Sequence, residues 1–392
     1  MSTAQQTSLS APDLQDIGHR PLVSVVIPCL NEAETIEACV ARALEVLDRN
    51  DLPGEVVVVD NGSDDGSGEL ARAAGARVIE EPRRGYGSAY LAGFAAARGD
   101  YLVMIDADLT YDFDEIPRFV AALDDGAGMV IGDRMNNIQP GAMSVTSRIG
   151  NPILSGFLKL LHRTPVRDAH CGLRAVRREA LPALDLHSTG MEFASEMVIR
   201  AGKVNLDVRE LPIELHRRGG ESKLSPFRDG WRHTRLILAH NPTALFVVPG
   251  LVLIAVGMLT ELTVFAHLPL FGRTWFVHTL IAGAAFVIVG AQVLGLGLCG
   301  RAYGVFVMGD RDQLFERLDS HVGLEHGLLL GLALVTGGIT LGAIVLSHWA
   351  AAGFGTLGQE RLAILALTLV VTGIQVFFTS FLISLLGLRR RG

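Results

Sequence analysis

Short apolar runs alternate with amphipathic stretches over roughly the first 240 residues of the chain. The runs are rich in valine and isoleucine, which is typical of buried strands, and the stretches between them repeat their apolar positions at helical spacing. Strands that alternate with helices predict βαβ units with right-handed crossovers. The pattern therefore predicts an α/β domain with a mostly parallel sheet, whose strands are residues 23–27, 55–60, 77–80, 101–105 and 129–132.

Polar residues predict where two of the helices begin. Asn31 and Glu34 form a plausible capping pair for a helix that ends near Arg49. Asp112 and Glu115 are placed to cap the helix that follows the strand at 101–105.

Beyond about residue 241 the apolar runs become long and nearly continuous. About 20 apolar residues span a bilayer, and four runs reach that length. They predict an all-α transmembrane domain over 242–392, with helices at about 242–262, 275–299, 327–349 and 362–388. Arginines are denser in the loop 300–326 and in the tail than in the two opposite loops. The positive-inside rule then predicts a multi-pass protein of the cell membrane with both termini in the cytoplasm.

Two amphipathic stretches accompany the predicted membrane domain. Residues 148–163 carry apolar positions at helical spacing, and residues 226–241 combine an apolar side with a basic stripe of Arg228, Arg232 and Arg235. Both patterns suit helices that lie in the membrane interface, with ordinary packing helices as the alternative.

The remaining composition narrows the class of protein. A formal net charge of −7 argues against a nucleic-acid partner. The four cysteines are scattered and form no C-x-x-C pair, so neither a zinc site nor a disulfide framework is predicted. Residues 1–21 are polar without an apolar core, which predicts a disordered lead-in rather than a signal peptide.

The candidate chemistry begins at Asp106-Ala107-Asp108, directly after the strand at 101–105. In open α/β sheets the carboxyl ends of strands are where ligands bind. Two carboxylates two residues apart suit Mg²⁺ or Mn²⁺, which usually share their coordination with substrate phosphates. The alternative is a solvated acidic turn. Neither the Rossmann glycine pattern nor a P-loop is present, which argues against dinucleotide and P-loop sites.

Four motifs in order carry a family resemblance: Val25 to Glu32, Val58 to Gly66, Gly85-x-Gly87, and Asp106-x-Asp108. Together they resemble a family 2 glycosyltransferase with the Rossmann-like GT-A nucleotide-sugar fold, over residues 22–225. The resemblance implies that Asp106 and Asp108 hold the metal on the donor diphosphate. It implies a donor site formed by Pro28, Asn31, Glu32, Asp60, Ser63, Asp65, Gly85 and Gly87.

The segment 132–225 is similar to polyprenyl-phosphate glycosyltransferases, including dolichyl-phosphate mannose synthases. That branch implies transfer from a UDP- or GDP-hexose to a dolichyl or undecaprenyl phosphate. The implied acceptor-phosphate residues are Arg134, Ser147, Arg148 and Asn151, the two arginines counting as catalytic together with Asp106 and Asp108. Arg217, Arg218, Ser222 and Lys223 would close over the donor phosphates. For four further residues of these motifs a structural role is an equal alternative to a role in the site. That role is ion pairing for Asp168, Glu192 and Glu196, and burial for His170.

One departure from that branch leaves details open. The mannose synthases have glutamine two residues after the second aspartate, where this chain has Thr110, so a third protein ligand to the metal and mannose as the sugar are both in doubt. Two other functions remain as alternatives. One is transfer to a glycolipid or polysaccharide, although the Q-x-x-R-W of processive synthases is absent. The other is a transport or scaffold protein that binds nucleotide-sugar without turnover.

Overall fold

A computed structural model describes residues 22–162, 164, 166–218, 226–269, 276–306, 324–356 and 358–388. The chain divides into two units, Met1–Ile237 and Leu238–Gly392, which are described separately below. The predicted disordered segment 1–21 lies outside the described residues.

The first unit is built on a mixed sheet with the strand order β3-β2-β1-β4-β6-β5-β7. Neighbouring strands pair in parallel except at β6, which runs antiparallel to both β4 and β5. The predicted mostly parallel sheet is therefore confirmed. The strands are β1 Val23–Cys29, β2 Gly54–Asp60, β3 Arg77–Glu80, β4 Tyr101–Met104, β5 Met129–Asp133, β6 Arg174–Arg177 and β7 Val208–Pro212.

Helices cover the sheet because its central strands are apolar on both faces. Val25 and Val26, which are adjacent in β1 and therefore point to opposite faces, are both fully buried. A 3₁₀ turn at Phe113–Glu115 precedes α4. The helices are α1 Ile36–Arg49, α2 Ser67–Ala73, α3 Tyr86–Ala96, α4 Ile116–Asp124, α5 Val145–His162, α6 Leu181–Leu184, α7 Phe193–Lys203 and α8 Pro226–Ala239.

The predicted capping pair at the first helix is wrong. α1 begins at Ile36, and its N-cap residue Thr35 makes no capping hydrogen bond with its side chain. Asn31 instead adopts a positive φ of 54°, and its side-chain oxygen accepts from the Asp64 N–H at 2.9 Å. The residue therefore joins two loops rather than starting a helix.

Of the second predicted pair, Asp112 caps the 3₁₀ turn that precedes α4, since its carboxylate accepts from the Asp114 N–H at 3.0 Å. Glu115 is the N-cap residue of α4 but makes no capping hydrogen bond with its side chain, so that half of the prediction is wrong.

The antiparallel strand β6 determines which loop reaches the carboxyl edge of the sheet. Its first residue, Arg174, pairs with Met104 at the end of β4 and with Ile131 near the end of β5. The segment that precedes β6 therefore arrives where β4 and β5 end. Arg174 anchors this segment, because its guanidinium donates to the carbonyls of Ala169, Cys171 and Ala194 at 2.7 to 2.9 Å.

The second unit contains, among the described residues, four helices long and apolar enough to cross a membrane. The prediction of four apolar helices in this part of the chain is therefore confirmed. Close approach between α9 and α10 requires glycine, since a Cβ at Gly257 would lie 2.6 Å from the Gly283 carbonyl oxygen. The helices are α9 Val248–Phe265, preceded by a π-helical turn at Thr243–Val247, α10 Val277–Phe306, α11 Leu324–Ala351 and α12 Glu360–Leu388.

Candidate active site

Two cavities lie side by side at the carboxyl edge of the sheet in the first unit. The first has a volume of about 350 Å³ and the second about 670 Å³. Residues that line both of them mark where the cavities meet, and this set is called the junction. The junction consists of Tyr86, Asp106, Asp108, Met191, Arg218 and Asp229.

Asp106 and Asp108 enter the junction from the turn after β4. The Asp108 Oδ1 atom accepts from the backbone and side chain of Thr110, which leaves Oδ2 facing Arg218 Nε at 3.3 Å. The Asp106 Oδ1 atom accepts from the Tyr86 hydroxyl at 3.2 Å. Burial raises the pKa of Asp106 to about 7, and the negative charge of Asp108 adds to the rise. The site therefore holds paired carboxylates whose mutual repulsion a cation would relieve.

This donor set fits a divalent cation. Carboxylate oxygens are hard ligands of the kind Mg²⁺ and Mn²⁺ take, and such ions commonly use one or two protein carboxylates together with phosphates. Within the described ranges, no cluster of three or more His, Cys, Asp or Glu side chains is placed to hold a metal. A cation at this site would thus have two protein ligands, Asp106 and Asp108, and would take its other ligands from a substrate.

Several predicted donor residues line the first cavity. Pro28, Glu32 and Gly85 do so, together with Asn61, which the sequence reading did not single out. The Asn61 side chain accepts from the Gly85 N–H at 2.7 Å and donates to two carbonyls after β3. It therefore fixes the loop that opens α3 beside the cavity.

The other predicted donor residues hold the loops after β1 and β2 together. The Asn31 N–H donates to Ser63 Oγ at 3.0 Å, and the Ala33 N–H donates to Asp65 at 3.0 Å. Asp60 accepts from the Ser63 N–H at 2.9 Å. None of Asn31, Asp60, Ser63 and Asp65 is among the residues that line the first cavity. Their donor-binding role stays a prediction.

Gly85 is required for packing within the protein. Its φ is 150°, and a Cβ on it would lie 2.1 Å from the Thr189 carbonyl oxygen. A Cβ on Gly87 would likewise lie 2.1 Å from the Ser188 carbonyl oxygen. The backbone at these two glycines thus lies close against the protein's own 188–189 segment. That segment is held in turn by Glu196, which accepts from the N–H of Ser188 at 2.8 Å.

Arg134 lines the second cavity but is bound to a carboxylate. Its Nε and Nη2 atoms lie 2.6 and 2.8 Å from the two oxygens of Asp168, and its Nη1 donates to the Tyr111 hydroxyl at 3.1 Å. The Arg134 side chain is 8% exposed and that of Asp168 is 0% exposed. Asp168 is therefore the partner of a buried ion pair, which is the structural alternative given for it in the sequence analysis. The acceptor role predicted for Arg134 would have to use its remaining N–H groups.

α5 contributes polar residues to the second cavity on one of its faces. Ser147 and Asn151, one turn apart, line the cavity, whereas Arg148 is exposed and is not among the lining residues. Arg217, predicted to close over the donor phosphates, lines this second cavity and not the first, and it donates to the Pro140 carbonyl at 2.8 Å. The structure therefore gathers the predicted acceptor residues except Arg148. Ser222 and Lys223 lie outside the described residues.

α8 supplies site residues that the sequence reading placed elsewhere. Arg228 and Arg232, predicted as part of an interfacial basic stripe, line the first cavity. Their i, i+4 spacing was the available signal, but it does not distinguish a lipid surface from a phosphate site.

A neutral histidine pair lies beside the second cavity. Ser195 Oγ is 3.2 Å from His170 Nε2 and 2.8 Å from His233 Nδ1. Burial lowers the pKa of His233 to about 4 and that of His170 well below its usual range. Both rings therefore act as uncharged wall residues at neutral pH.

Comparison with known proteins places this geometry in a family. The profile of Glycosyl transferase family 2 matches residues 24–184, and the profile of the Glycosyltransferase family 2 C-terminal transmembrane region matches residues 298–387. The low-salt glycan biosynthesis hexosyltransferase Agl6 of Haloferax volcanii is 38% identical over 370 residues, which covers 94% of this chain and 89% of that protein. The chain belongs to glycosyltransferase family 2.

Two further relatives of this family 2 glycosyltransferase have names that state an acceptor. A dolichyl-phosphate hexose transferase of Haloferax volcanii is 36% identical over 53% of this chain and 89% of its own length. An undecaprenyl-phosphate 4-deoxy-4-formamido-L-arabinose transferase of Edwardsiella ictaluri is 32% identical over 72% of this chain and 88% of its own length. The predicted family and fold are confirmed. The protein is a membrane glycosyltransferase, with a GT-A domain followed by four apolar helices.

Proposed function

We propose that this enzyme transfers a hexose from a nucleotide-sugar to a polyprenyl phosphate, with inversion at C1. The observation that carries the proposal is the meeting of two cavities at Asp106 and Asp108. One cavity suits a nucleotide and the other a second, phosphorylated substrate. The names of the dolichyl-phosphate and undecaprenyl-phosphate relatives support the lipid acceptor.

The first cavity is the proposed donor site. Glu32 and Asn61 would face the nucleoside, and the diphosphate would extend toward the junction. Arg218, Arg228 and Arg232 line this cavity and supply positive charge for the diphosphate. UDP- and GDP-hexoses both fit this description.

Asp106 and Asp108 would hold a divalent cation, Mg²⁺ or Mn²⁺, against the diphosphate. When bound, the ion would neutralise charge on the leaving nucleoside diphosphate. The protein's own contribution is to hold the two carboxylates in position at the junction. Tyr86 orients Asp106, and Thr110 orients Asp108.

The second cavity is the proposed acceptor site. A phosphate monoester is already anionic at neutral pH, so it needs cations and hydrogen-bond donors rather than a general base. Arg217, Ser147 and Asn151 line this cavity and can donate to phosphate oxygens. The acceptor oxygen would bond to C1 as the bond from C1 to the diphosphate oxygen breaks. Holding both substrates at the junction provides much of the acceleration.

The proposed location is the cell membrane, with the catalytic domain and both termini in the cytoplasm. The support is the distribution of arginines around the four spans, because the positive-inside rule assigns the arginine-rich loops to the cytoplasm.

The test is transfer by the full-length protein in detergent or liposomes. A panel of radiolabelled UDP- and GDP-hexoses is incubated with a polyprenyl phosphate, and with the matching polyprenyl alcohol as control. We expect one donor to label the phosphate and none to label the alcohol. Label that enters added glycolipid or polysaccharide but not the lipid phosphate would refute the proposed acceptor.

A further inference from the structure

Arg218 lies between two carboxylates that come from different loops at the carboxyl edge of the sheet. Its Nε atom is 3.3 Å from Asp108 Oδ2, and its Nη2 atom is 3.7 Å from Glu32 Oε1. Asp108 follows β4, whereas Glu32 follows β1. The Arg218 side chain is 26% exposed and lines both cavities, so a ligand at the junction can reach it.

The approach of Arg218 to Asp108 is built into the fold. The His216 N–H, two residues before Arg218, donates to the Thr110 carbonyl at 2.9 Å. Thr110 also donates to Asp108 Oδ1 through its backbone N–H and its hydroxyl. Thr110 therefore positions Asp108 directly and, through its carbonyl, the segment that carries Arg218.

The contact between Arg218 and Asp108 is one of charge rather than of directional hydrogen bonds. Both carboxylate contacts of Arg218 are longer than the roughly 2.7 to 2.9 Å of a charge-assisted hydrogen bond. Over the part of the chain that the structure describes, the Arg218 Nε atom is buried and has no hydrogen-bond partner. Such a contact is exchanged for another more readily than the bidentate pair of Arg134 and Asp168.

Arg218 approaches the oxygen of Asp108 that a cation would use. Oδ1 accepts two hydrogen bonds from Thr110, so Oδ2 is the oxygen left to bind a divalent ion. An ion on Oδ2 and a guanidinium beside the same oxygen are neighbouring positive charges, which repel each other. A nucleoside diphosphate relieves this conflict, because its oxygens bind a divalent ion and also accept hydrogen bonds from arginine.

We infer that Arg218 couples binding of the cation to binding of the nucleotide. The inference rests on the donor half of the proposed function, which brings the diphosphate to the junction. Before the nucleotide binds, Arg218 neutralises Asp108 and opposes the cation. When the diphosphate arrives, Arg218 donates to phosphate oxygens and leaves Asp108 to the ion. The site thus holds the cation tightly only together with the donor.

The experiment measures Mn²⁺ binding by the full-length protein in detergent, with the free ion followed by electron paramagnetic resonance. Without nucleotide, we expect Arg218→Gln to bind Mn²⁺ about 10-fold more tightly than wild type, because a repelling charge is removed. Saturating UDP or GDP should tighten Mn²⁺ binding about 100-fold in wild type and about 10-fold in Arg218→Gln, in which direct contact between ion and phosphate remains. Because coupling is reciprocal, Mn²⁺ should strengthen nucleotide binding by the same factors.

Matched variants assign the effect to this contact. Arg218→Lys keeps the charge and should bind Mn²⁺ within about threefold of wild type. Arg228→Gln removes a charge from another residue of the first cavity and should change nucleotide-free Mn²⁺ binding by less than about twofold, because among the described residues Asp108 pairs with Arg218 alone. In the background Asp108→Asn, Arg218→Gln should no longer tighten Mn²⁺ binding. Arg218→Met replaces Arg218→Gln if the latter does not fold.

The inference and the proposed function fail differently. If wild type binds Mn²⁺ and the neutral variant at Arg218 binds it no more tightly without nucleotide, the inference is wrong, and Arg218 only binds phosphate. If wild type binds no Mn²⁺ with or without nucleotide, the proposed metal site is wrong and the inference falls with it. If Mn²⁺ binding follows the expected pattern but no sugar reaches polyprenyl phosphate, the inference stands and the proposed transfer is wrong.

Discussion

At the scale of single residues, the buried pair Arg134 and Asp168 shows how structure changes the meaning of a predicted site residue. Removing the arginine leaves a carboxylate that is 0% exposed without its counter-charge. Breaking a buried ion pair in this way costs about 3 to 5 kcal/mol. We expect Arg134→Ala to lower the free energy of unfolding by that amount, measured by chemical denaturation of the full-length protein in detergent.

Arg148→Ala is the matched control for this prediction. Arg148 is exposed, so its removal should change stability by less than about 0.5 kcal/mol. A variant Arg134→Ala that is as stable as wild type, with reduced acceptor affinity alone, would contradict the structural role and favour a direct contact with the acceptor phosphate.

The paired carboxylates give a second prediction at this scale. Asp108→Asn keeps an oxygen that can accept from Thr110, so the fold should persist. Loss of one negative ligand should weaken Mn²⁺ binding and lower transfer by about 100-fold or more, the range found when a stabiliser of developing charge is removed. Asp112→Asn, in the capping position nearby, is the control. Full activity of wild type in excess EDTA would refute the metal role.

The position of a site residue could be predicted where the residues that form the site are contiguous in sequence, while its role stays a prediction. Asp106 and Asp108 were identifiable because strand, turn and carboxylates are contiguous. The partner of Arg134 was not, because Asp168 is 34 residues away and its pairing depends on β6. The position of Asp229 at the junction was equally unpredictable, since α8 has an amphipathic pattern whether it packs against a cavity or against a membrane.

At the scale of elements, α5 has an apolar face that the described part of the first unit leaves uncovered. Ile149, Ile153 and Phe157 are 59%, 53% and 44% exposed, and they recur one turn apart. This agrees with the amphipathic helix predicted there, although its place at the membrane interface stays a prediction. An apolar helix face of this kind partitions into the boundary between headgroups and acyl chains.

A probe on this helix tests the interface prediction. A fluorophore on a cysteine at position 153, in a background without the native cysteines, should be quenched by lipids that carry a nitroxide near the headgroup. The same fluorophore at position 207, the exposed residue directly before β7, should not be quenched. Equal quenching at both positions, or none at 153, would show that α5 does not lie in the interface.

The strands that sequence reading missed are β6 and β7. β6 has arginine at both ends and β7 is only partly buried, so neither shows a clean apolar run. Both are strands because neighbouring backbones complete their hydrogen bonds, which is tertiary information. The longer buried strands and the helices between them were predictable from periodicity alone.

At the scale of the whole molecule, the four spans follow from length and composition, and their orientation follows from charge. If the arginine-rich loops are cytoplasmic, single cysteines at positions 268 and 355 should react with an impermeant maleimide in intact cells. A cysteine at position 315 should react only after permeabilisation. Labelling at 315 but not at 268 in intact cells would reverse the proposed topology.

The reversed direction of β6 has a consequence for engineering this enzyme. The chain leaves β5 at residue 133, forms α5, and returns through 168–172 before it enters β6, so much of the wall of the second cavity is one continuous insert. The strands β1, β2 and β4 and their loops lie outside that insert. A chimera that exchanges residues 134–173 with those of a relative should therefore change the lipid that is used and retain the donor. The two ends of that insert, at residues 134 and 173, would therefore serve as recombination points at which the acceptor preference is exchanged independently of the donor preference.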